Sequence, residues 1–197
     1  MMQPAPHIHT TDLACRRGDR LLFCGLSLSL GQGDALHIAG ANGIGKTSLI
    51  RIIAGLLRPF SGTVTSSGTM GMVDRNHALD PQLPLDAALR FWSQMDGGTV
   101  DQNTSAVRLG LADLLDVPVR YLSTGQLKRA ALARLIRQNA QIWLLDEPLN
   151  GLDAQGVTLV EQLVADHCAN GGIALVASHQ MITLPDLQRL ELADFAA

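Results

Sequence analysis

"GANGIGKTSLI", residues 40–50, follows the apolar run "ALHIAG" and leads into "KTSLIRIIAGLL". The first run reads as a strand. The last reads as a helix over 46–57, with apolar residues at helical spacing and a stop at Arg58-Pro59. Between them lies the pattern G-x-x-x-x-G-K-[ST], with Gly40, Gly45, Lys46 and Thr47 at its fixed places. Glycines permit a main chain whose successive N–H groups turn towards one anion. A helix starting near Lys46 aims its positive end at the same point. Lys46 would neutralise the outer phosphate oxygens, and the Thr47 hydroxyl would ligate Mg²⁺. A chance match in a chain this long is on the order of 1%, and the strand–turn–helix setting lowers it further. The stretch reads as a cradle for a nucleoside triphosphate. Alone, it does not separate kinases, GTPases and ATPases.

Working outward, "LLFCGLSLSLGQGDALHIAG" holds strand-like stretches at Leu26–Leu30 and Ala35–Ala39, with "GQGD" as a turn. "SGTVTSSGTMGMV" gives further short strand and turn signals. From Pro81 to Val117 the pattern changes: "LDAALRFWSQM" and "TSAVRLGLADLL" read as helices joined by the turn "DGGTV", a helix-rich insert in an α/β chain. "GQLKRAALARLIRQNA" is a strong helix, and "QIWLLDEP" and "GIALVASH" are buried strands. Alternating strands and helices favour a parallel sheet with helix-covered faces.

The 197 residues suit one domain, and 47% hydrophobic content can pack its core. Aromatics at 4% leave that packing to Leu, Ala, Val and Ile. A net charge of -3 gives no general pull towards nucleic acid, and none is expected as a partner. Cys15, Cys24 and Cys168 are odd in number and form no CxxC, as expected of reduced thiols in a cytosolic protein. No uncharged apolar run reaches the roughly 20 residues of a membrane span. The start, "MMQPAPHIHTTD", lacks the pattern of a signal peptide. It reads as a frayed tail carrying His7 and His9, which are not expected to ligate metal.

"IWLLDE", 142–147, is four apolar residues followed by two acids. A buried strand that delivers acid at its carboxyl end is where α/β sheets place ligand chemistry. Asp146 would join the Mg²⁺ shell, and Glu147 would act as general base on the attacking water. His179 ends the run "IALVAS", where it could bond the γ-phosphate. A strand ending in solvated acids, or a merely structural histidine, is the plainer alternative for each taken alone.

"LSTGQLKRAALARLI", 122–136, resembles the signature of ATP-binding cassette (ABC) proteins, whose usual form is LSGGQ. An ordinary Ser-capped helix would account for Ser123 but not for the whole order: phosphate loop, signature, acid pair, "LNGLD" and His179 follow one another at cassette spacing. The resemblance spans nearly the whole chain. It implies a P-loop NTPase nucleotide-binding domain over 1–197. That domain would have a RecA-like parallel core, an N-terminal antiparallel β part and a helical subdomain insert at about 77–122. It implies that Gly40, Ala41, Asn42, Gly43, Ile44, Gly45, Lys46, Thr47 and Ser48 contact ATP. Ser123 and Gly125 would bind the γ-phosphate held by the other protomer of a homodimer, two subunits sandwiching two ATP molecules. Asp153 of "LNGLD" would shape the partner's site. His179 would be the switch histidine and join Glu147 and Lys46 in catalysis, with Thr47 and Asp146 as metal ligands.

Two places depart from the pattern. The glutamine expected after the strand near Met72-Val73 is missing from "MVDRNHALDP", and by spacing Asn76 takes its metal-contacting place. The aromatic that stacks on adenine is also missing, with Arg17 of "LACRRGDR" in its position. A guanidinium plane can stack on a base, but a solvated charge is the simpler reading.

Within the family, "LACRRGDRLLFCGLSLSL", "IIAGLLRPFSGTV", "LRFW", "DVPVRYLSTGQLKRAALARL" and "WLLDEPLNGLD" resemble the CcmA-type ATP-binding subunits of cytochrome c biogenesis. That implies a place on the cytoplasmic face of a bacterial inner membrane. The expected partners are spanning subunits of CcmB and CcmC type and, indirectly, the haem chaperone CcmE. ATP use would drive haem export or release of the loaded chaperone. An ATPase serving another transported substrate remains open. Soluble cassette ATPases of DNA repair need a long coiled coil, and no sustained heptad occurs here. A translation factor of this family would need two nucleotide domains. A small-molecule P-loop kinase would leave "LSTGQ" unexplained.

Overall fold

The structure, a computed structural model, describes residues 5–96 and 102–196. Two sheets organise it. Strands β1 (His7–Arg17), β2 (Arg20–Leu30) and β4 (Ser61–Ser67) form an antiparallel sheet in the order β2-β1-β4. Strands β3 (Ala35–Ala39), β5 (Met70–Val73), β6 (Ile142–Asp146), β7 (Ile173–Ala177) and β8 (Gln188–Glu191) form a parallel sheet in the order β5-β6-β7-β3-β8.

The inner strands of the parallel sheet are apolar because both their faces are covered. On β6, Ile142 and Leu144 face one core, which α1 (Lys46–Ile53) and the antiparallel sheet close with Leu49, Ile50, Phe23 and Leu26. Trp143 and Leu145 face the opposite core, closed by α4 (Thr124–Gln138) and α5 (Ala154–Ala169) with Leu132, Leu135, Val160 and Leu163. The period-2 alternation of a strand thus divides one short run between two cores. Helices α2 (Leu85–Met95) and α3 (Gln102–Arg108) follow β5 and pack on α4.

Three expectations need correction. The amino-terminal stretch is not a frayed tail. His7–Arg17 is the central strand of the antiparallel sheet, with Ile8 and Thr10 buried while His7 and His9 face outward. "HIHT" carries that alternation, and its two polar histidines simply mark the exposed face. Helix α1 ends at Ile53 rather than at residue 57. Gly55, at φ 72°, turns the chain left-handed, and the Leu56 N–H bonds to Arg51 O at 2.8 Å while Gly55 N–H bonds to Ile52 O at 3.0 Å. That glycine-terminated cap stops the helix before Pro59 is reached. The helix expected over "TSAVRLGLADLL" is broken at Gly110, φ 62°, into α3 and a short 3-10 turn at Ala112–Leu114. Most of the expected "DGGTV" turn lies outside the described residues.

Candidate functional site

The carboxyl ends of β3, β5, β6 and β7 open on one edge of the parallel sheet. Because β6 and β7 lie between β5 and β3, the loops leaving all four converge there. The loop after β3 carries Gly40, Gly43 and Gly45 at φ 143°, 81° and 122°. A β-carbon at Gly45 would stand 3.2 Å from the Phe23 ring, in a main-chain conformation that L-residues rarely adopt. Glycine there is demanded twice, by strain and by space.

Lys46, at 5% exposure, folds its ammonium back onto this loop, donating to Gly40 O at 2.7 Å and Ala41 O at 3.2 Å. The Nζ also stands 3.5 Å from Glu147 Oε1. The Thr47 hydroxyl donates to both Asp146 carboxylate oxygens, at 3.0 and 2.8 Å. Burial raises the Asp146 carboxyl above its ordinary value of 3.8. The Thr47 bond works against that rise, and neighbouring Glu147 adds to it. Glu147 is itself buried, and its Oε2 lies 2.9 Å from His179 Nδ1. The contacts form two groups, Thr47–Asp146 and Lys46–Glu147–His179, that adjoin along the main chain at residues 46–47 and 146–147.

A pocket of about 390 Å³ opens beside these contacts, lined by Asn42, Gly43, Gly45, Lys46, Thr47, Ser48 and Glu147. Arg17, Arg20, Leu22 and Arg75 complete its walls, and no aromatic side chain is among them. Among the described residues no group of three His, Cys, Asp or Glu side chains is placed to hold a metal ion alone.

Ser123, Gly125 and Asp153 are brought together elsewhere. They line a second pocket of about 670 Å³ with Thr124, Arg129 and Gly151. Ser123 caps α4 through a reciprocal pair. Its Oγ accepts from Gln126 N–H at 3.3 Å, and its own N–H donates to Gln126 Oε1 at 2.8 Å. A hydroxyl that accepts in this way keeps its hydrogen for a ligand. Asp153 caps α5, its Oδ1 accepting from Gly156 N–H at 2.8 Å. The two pockets share no lining residue.

Asn76 is exposed, with its main-chain N–H bonded to Asp74 Oδ1 at 2.8 Å, and it is not on the wall of the first pocket. Its neighbour Arg75 is, and the Arg75 charge acts on Asp146. The Asx turn at Asp74 leaves Arg75, rather than Asn76, on the pocket wall. Lys128 and His37 were also missed. Lys128 lies on the same stripe of α4 as Ala131, Leu132 and Leu135, and a charge on an apolar stripe needs a buried acceptor. His37 interrupts the apolar β3 run, and its Nε2 lies 3.1 Å from Ser178 O, directly before His179.

The family model for "ABC transporter" matches residues 23–150. The cytochrome c biogenesis ATP-binding export protein CcmA of Novosphingobium aromaticivorans is 54% identical over 94% of this chain and 95% of its own. That of Zymomonas mobilis is 47% identical over 94% of this chain and 84% of its own. A putative ABC transporter ATP-binding protein from Pyrococcus furiosus superposes with a TM-score of 0.84 over 97% of this chain and all of that one. At 21% identity this likeness speaks for the fold alone.

Proposed function

The chain belongs to the ABC transporter family, and from that premise we propose that it is the ATP-hydrolysing subunit of a membrane transporter for c-type cytochrome biogenesis. The relatives' name supports the biological setting. The observation that carries the chemistry is the pocket lined by Lys46, Thr47 and Glu147, with Asp146 bonded to Thr47 and His179 bonded to Glu147.

In this reading residues 40–48 wrap the phosphates of ATP. Lys46 exchanges its loop carbonyls for phosphate oxygens, which satisfies its charge better than two neutral acceptors do. The Thr47 hydroxyl and the Asp146 carboxylate already touch, and together they make a hard oxygen pair suited to Mg²⁺. With so few protein donors, the rest of the metal's shell would come from the nucleotide and water. The ion, held by Thr47 and Asp146, would supply neutralisation of the phosphate charge. Glu147, fixed between Lys46 and His179, accepts the proton of the attacking water. His179 holds the Glu147 carboxylate by Nδ1 and is placed to meet the γ-phosphate. Leu22 and the guanidinium planes of Arg17 and Arg20 are the surfaces available to the base.

The separation of the two pockets supports a sandwich of two copies. Ser123, Gly125 and Asp153 would complete the partner's site, since their own pocket holds no residue of the phosphate loop. We place the helical insert, about 77–122, as the subdomain facing the membrane partner, a role supported by the exposed Leu83, Phe91 and Met95. No helix among the described residues is long and apolar enough to cross a membrane. Spanning subunits of CcmB and CcmC type would hold the chain at the inner membrane, and haem handling through CcmE would be their shared task.

The test is replacement of the chromosomal gene by a Glu147→Gln form, with c-type cytochromes read by haem staining and ATP turnover read on the purified subunit. Loss of both supports the reading. Lost turnover with normal cytochromes would assign the ATPase to another cargo.

A further inference from the structure

Lys128 is 5% exposed, yet it carries a full-length cationic side chain into the body of the protein. Burial lowers its tendency to hold a proton, and the nearby Asp146 and Glu147 charges oppose that loss. Among the described residues it forms no ion pair with either carboxylate. Its Nζ instead donates to the main-chain carbonyl of Glu147, at 2.7 Å.

That carbonyl belongs to an unusual residue. Glu147 has φ 52°, a left-handed conformation that costs any residue with a β-carbon. Its N–H donates to Ala177 O, at the end of β7, at 2.8 Å. The Glu147 N–H is thus held by β7, and its C=O by α4, with a longer bond of 3.4 Å from Asn150 N–H in the following turn. With the peptide turned this way, the carboxylate reaches Lys46 Nζ at 3.5 Å and His179 Nδ1 at 2.9 Å. An apolar side chain in place of Lys128 would leave the carbonyl only the longer 3.4 Å bond from Asn150 N–H, and the left-handed turn would lose its shortest restraint.

We propose that Lys128 is a positioning residue for Glu147, whose ammonium clamps the left-handed main chain and so aims the carboxylate. The proposal rests on the reading of Glu147 as the water-activating base. It adds a connection that reading lacks. Ser123 caps the start of α4 and Lys128 rides the same helix five residues on, so the clamp ties the aim of one site's carboxylate to the helix whose first residues line the other pocket. A shift of α4 would then be felt at Glu147 without passing through the phosphate loop.

The test uses the full chain with MgATP and follows single-turnover hydrolysis, binding of a fluorescent ATP analogue and thermal melting. Lys128→Met keeps the length and removes the donor. It should fold, since it replaces a buried charge by an apolar group. Turnover should fall about 10- to 100-fold while nucleotide affinity stays within about 2-fold, the pattern of an interaction that matters only in the transition state. Lys128→Arg, which can still reach the carbonyl, should recover most of the rate. Lys128→Met turning over within about 2-fold of wild type would overturn the clamp, as would affinity and rate falling together. Glu147→Gln run in parallel separates the two ideas. If that variant hydrolyses at the wild-type rate, the reading of Glu147 fails and takes the clamp with it. If it is inactive while Lys128→Met is not, the clamp alone fails.

Discussion

Replacing Thr47 by Val tests the metal-side half of the site. The substitution keeps the branched shape and removes the hydroxyl that donates to both Asp146 oxygens, at 3.0 and 2.8 Å. Asp146 is 3% exposed, so the lost donor leaves a buried carboxylate under-satisfied. A hydrogen bond to a charged group contributes about 1.5–3 kcal/mol. Thr47 itself is half-buried, so water can replace part of that bond, and the expected loss is about 1.5 kcal/mol. In a chain of this size that lowers the melting temperature by about 3–6 °C. The loss has a pH signature. Burial already raises the Asp146 carboxyl, and the Thr47 bond is the largest influence holding it down. A group whose folded pKa is raised contributes stability that is present at low pH and lost as the pH climbs through the raised value. Removing the hydroxyl raises it further, so the melting deficit of the variant should be small at acid pH, near the ordinary carboxyl range, and widen as the pH rises above it. Scanning calorimetry across that range, with ATP plus Mg²⁺ or ATP plus chelator, is the assay. The wild type should gain an Mg²⁺-dependent increment in melting temperature that the variant lacks. An unchanged apo melting temperature together with a full Mg²⁺ increment would refute both the energetic account and the metal role of Thr47.

Glu147→Gln should bind ATP normally and lose about 10²- to 10⁴-fold in hydrolysis, whereas Lys46→Ala should weaken binding itself, checked by parallel binding and single-turnover assays. Trapped with ATP, the Glu147→Gln form should double its mass in light scattering and remain a monomer with ADP; one mass in every state would count against the sandwich. Arg75→Ala should reduce ATP turnover while Asn76→Gln leaves it near wild type, because only Arg75 lines the pocket; the opposite ranking in a steady-state assay would restore Asn76. Burial lowers the pKa of His37, His77 and His167 below the ordinary 6.5. Stability should therefore fall as the pH drops through that value, when the unfolded chain takes up protons the fold refuses, and His37→Gln should flatten the melting temperature between about pH 7.5 and 5.5.

Much of the site was legible because its parts are local. The phosphate loop is a contiguous pattern whose glycine spacing follows from main-chain strain. The acids of "IWLLDE" are announced by the apolar run that must end before them. The reciprocal cap at Ser123 and Gln126 is written three residues apart. What escaped was of two kinds. Side chains placed by a turn, such as Arg75 on the pocket wall beside Asn76 off it, cannot be located by counting, because the turn at Asp74 sets the direction in which each leaves the main chain. Contacts between distant segments, such as Lys128 to Glu147 O, leave in the sequence only an oddity, a charge on an apolar stripe, without saying where its acceptor lies. The central strand β1 was missed for a different reason: its alternation was present, but two histidines on the exposed face disguised it as a tail.

The topology explains why separate local signals amount to one site. Each part of the site stands at or just beyond the carboxyl end of a parallel strand: the phosphate loop from Gly40 after β3, Arg75 after β5, Asp146 and Glu147 at the end of β6, His179 after β7. In sequence these ends are far apart, and read singly each permits a plain structural explanation. In the sheet they are neighbours, because β6 and β7 are inserted between β5 and β3 at a spacing of about 4.8 Å per strand. The same order places Asp146 opposite Ala177 across β6 and β7, which puts the Glu147 N–H within reach of Ala177 O and its carboxylate within reach of His179. A slip of one residue in that pairing would turn Trp143 and Leu145 to the wrong core and, in the same movement, part Glu147 from His179. The register that the two cores enforce is therefore also what aligns the acid with the histidine, so the packing of β6 and the geometry of the site stand or fall together.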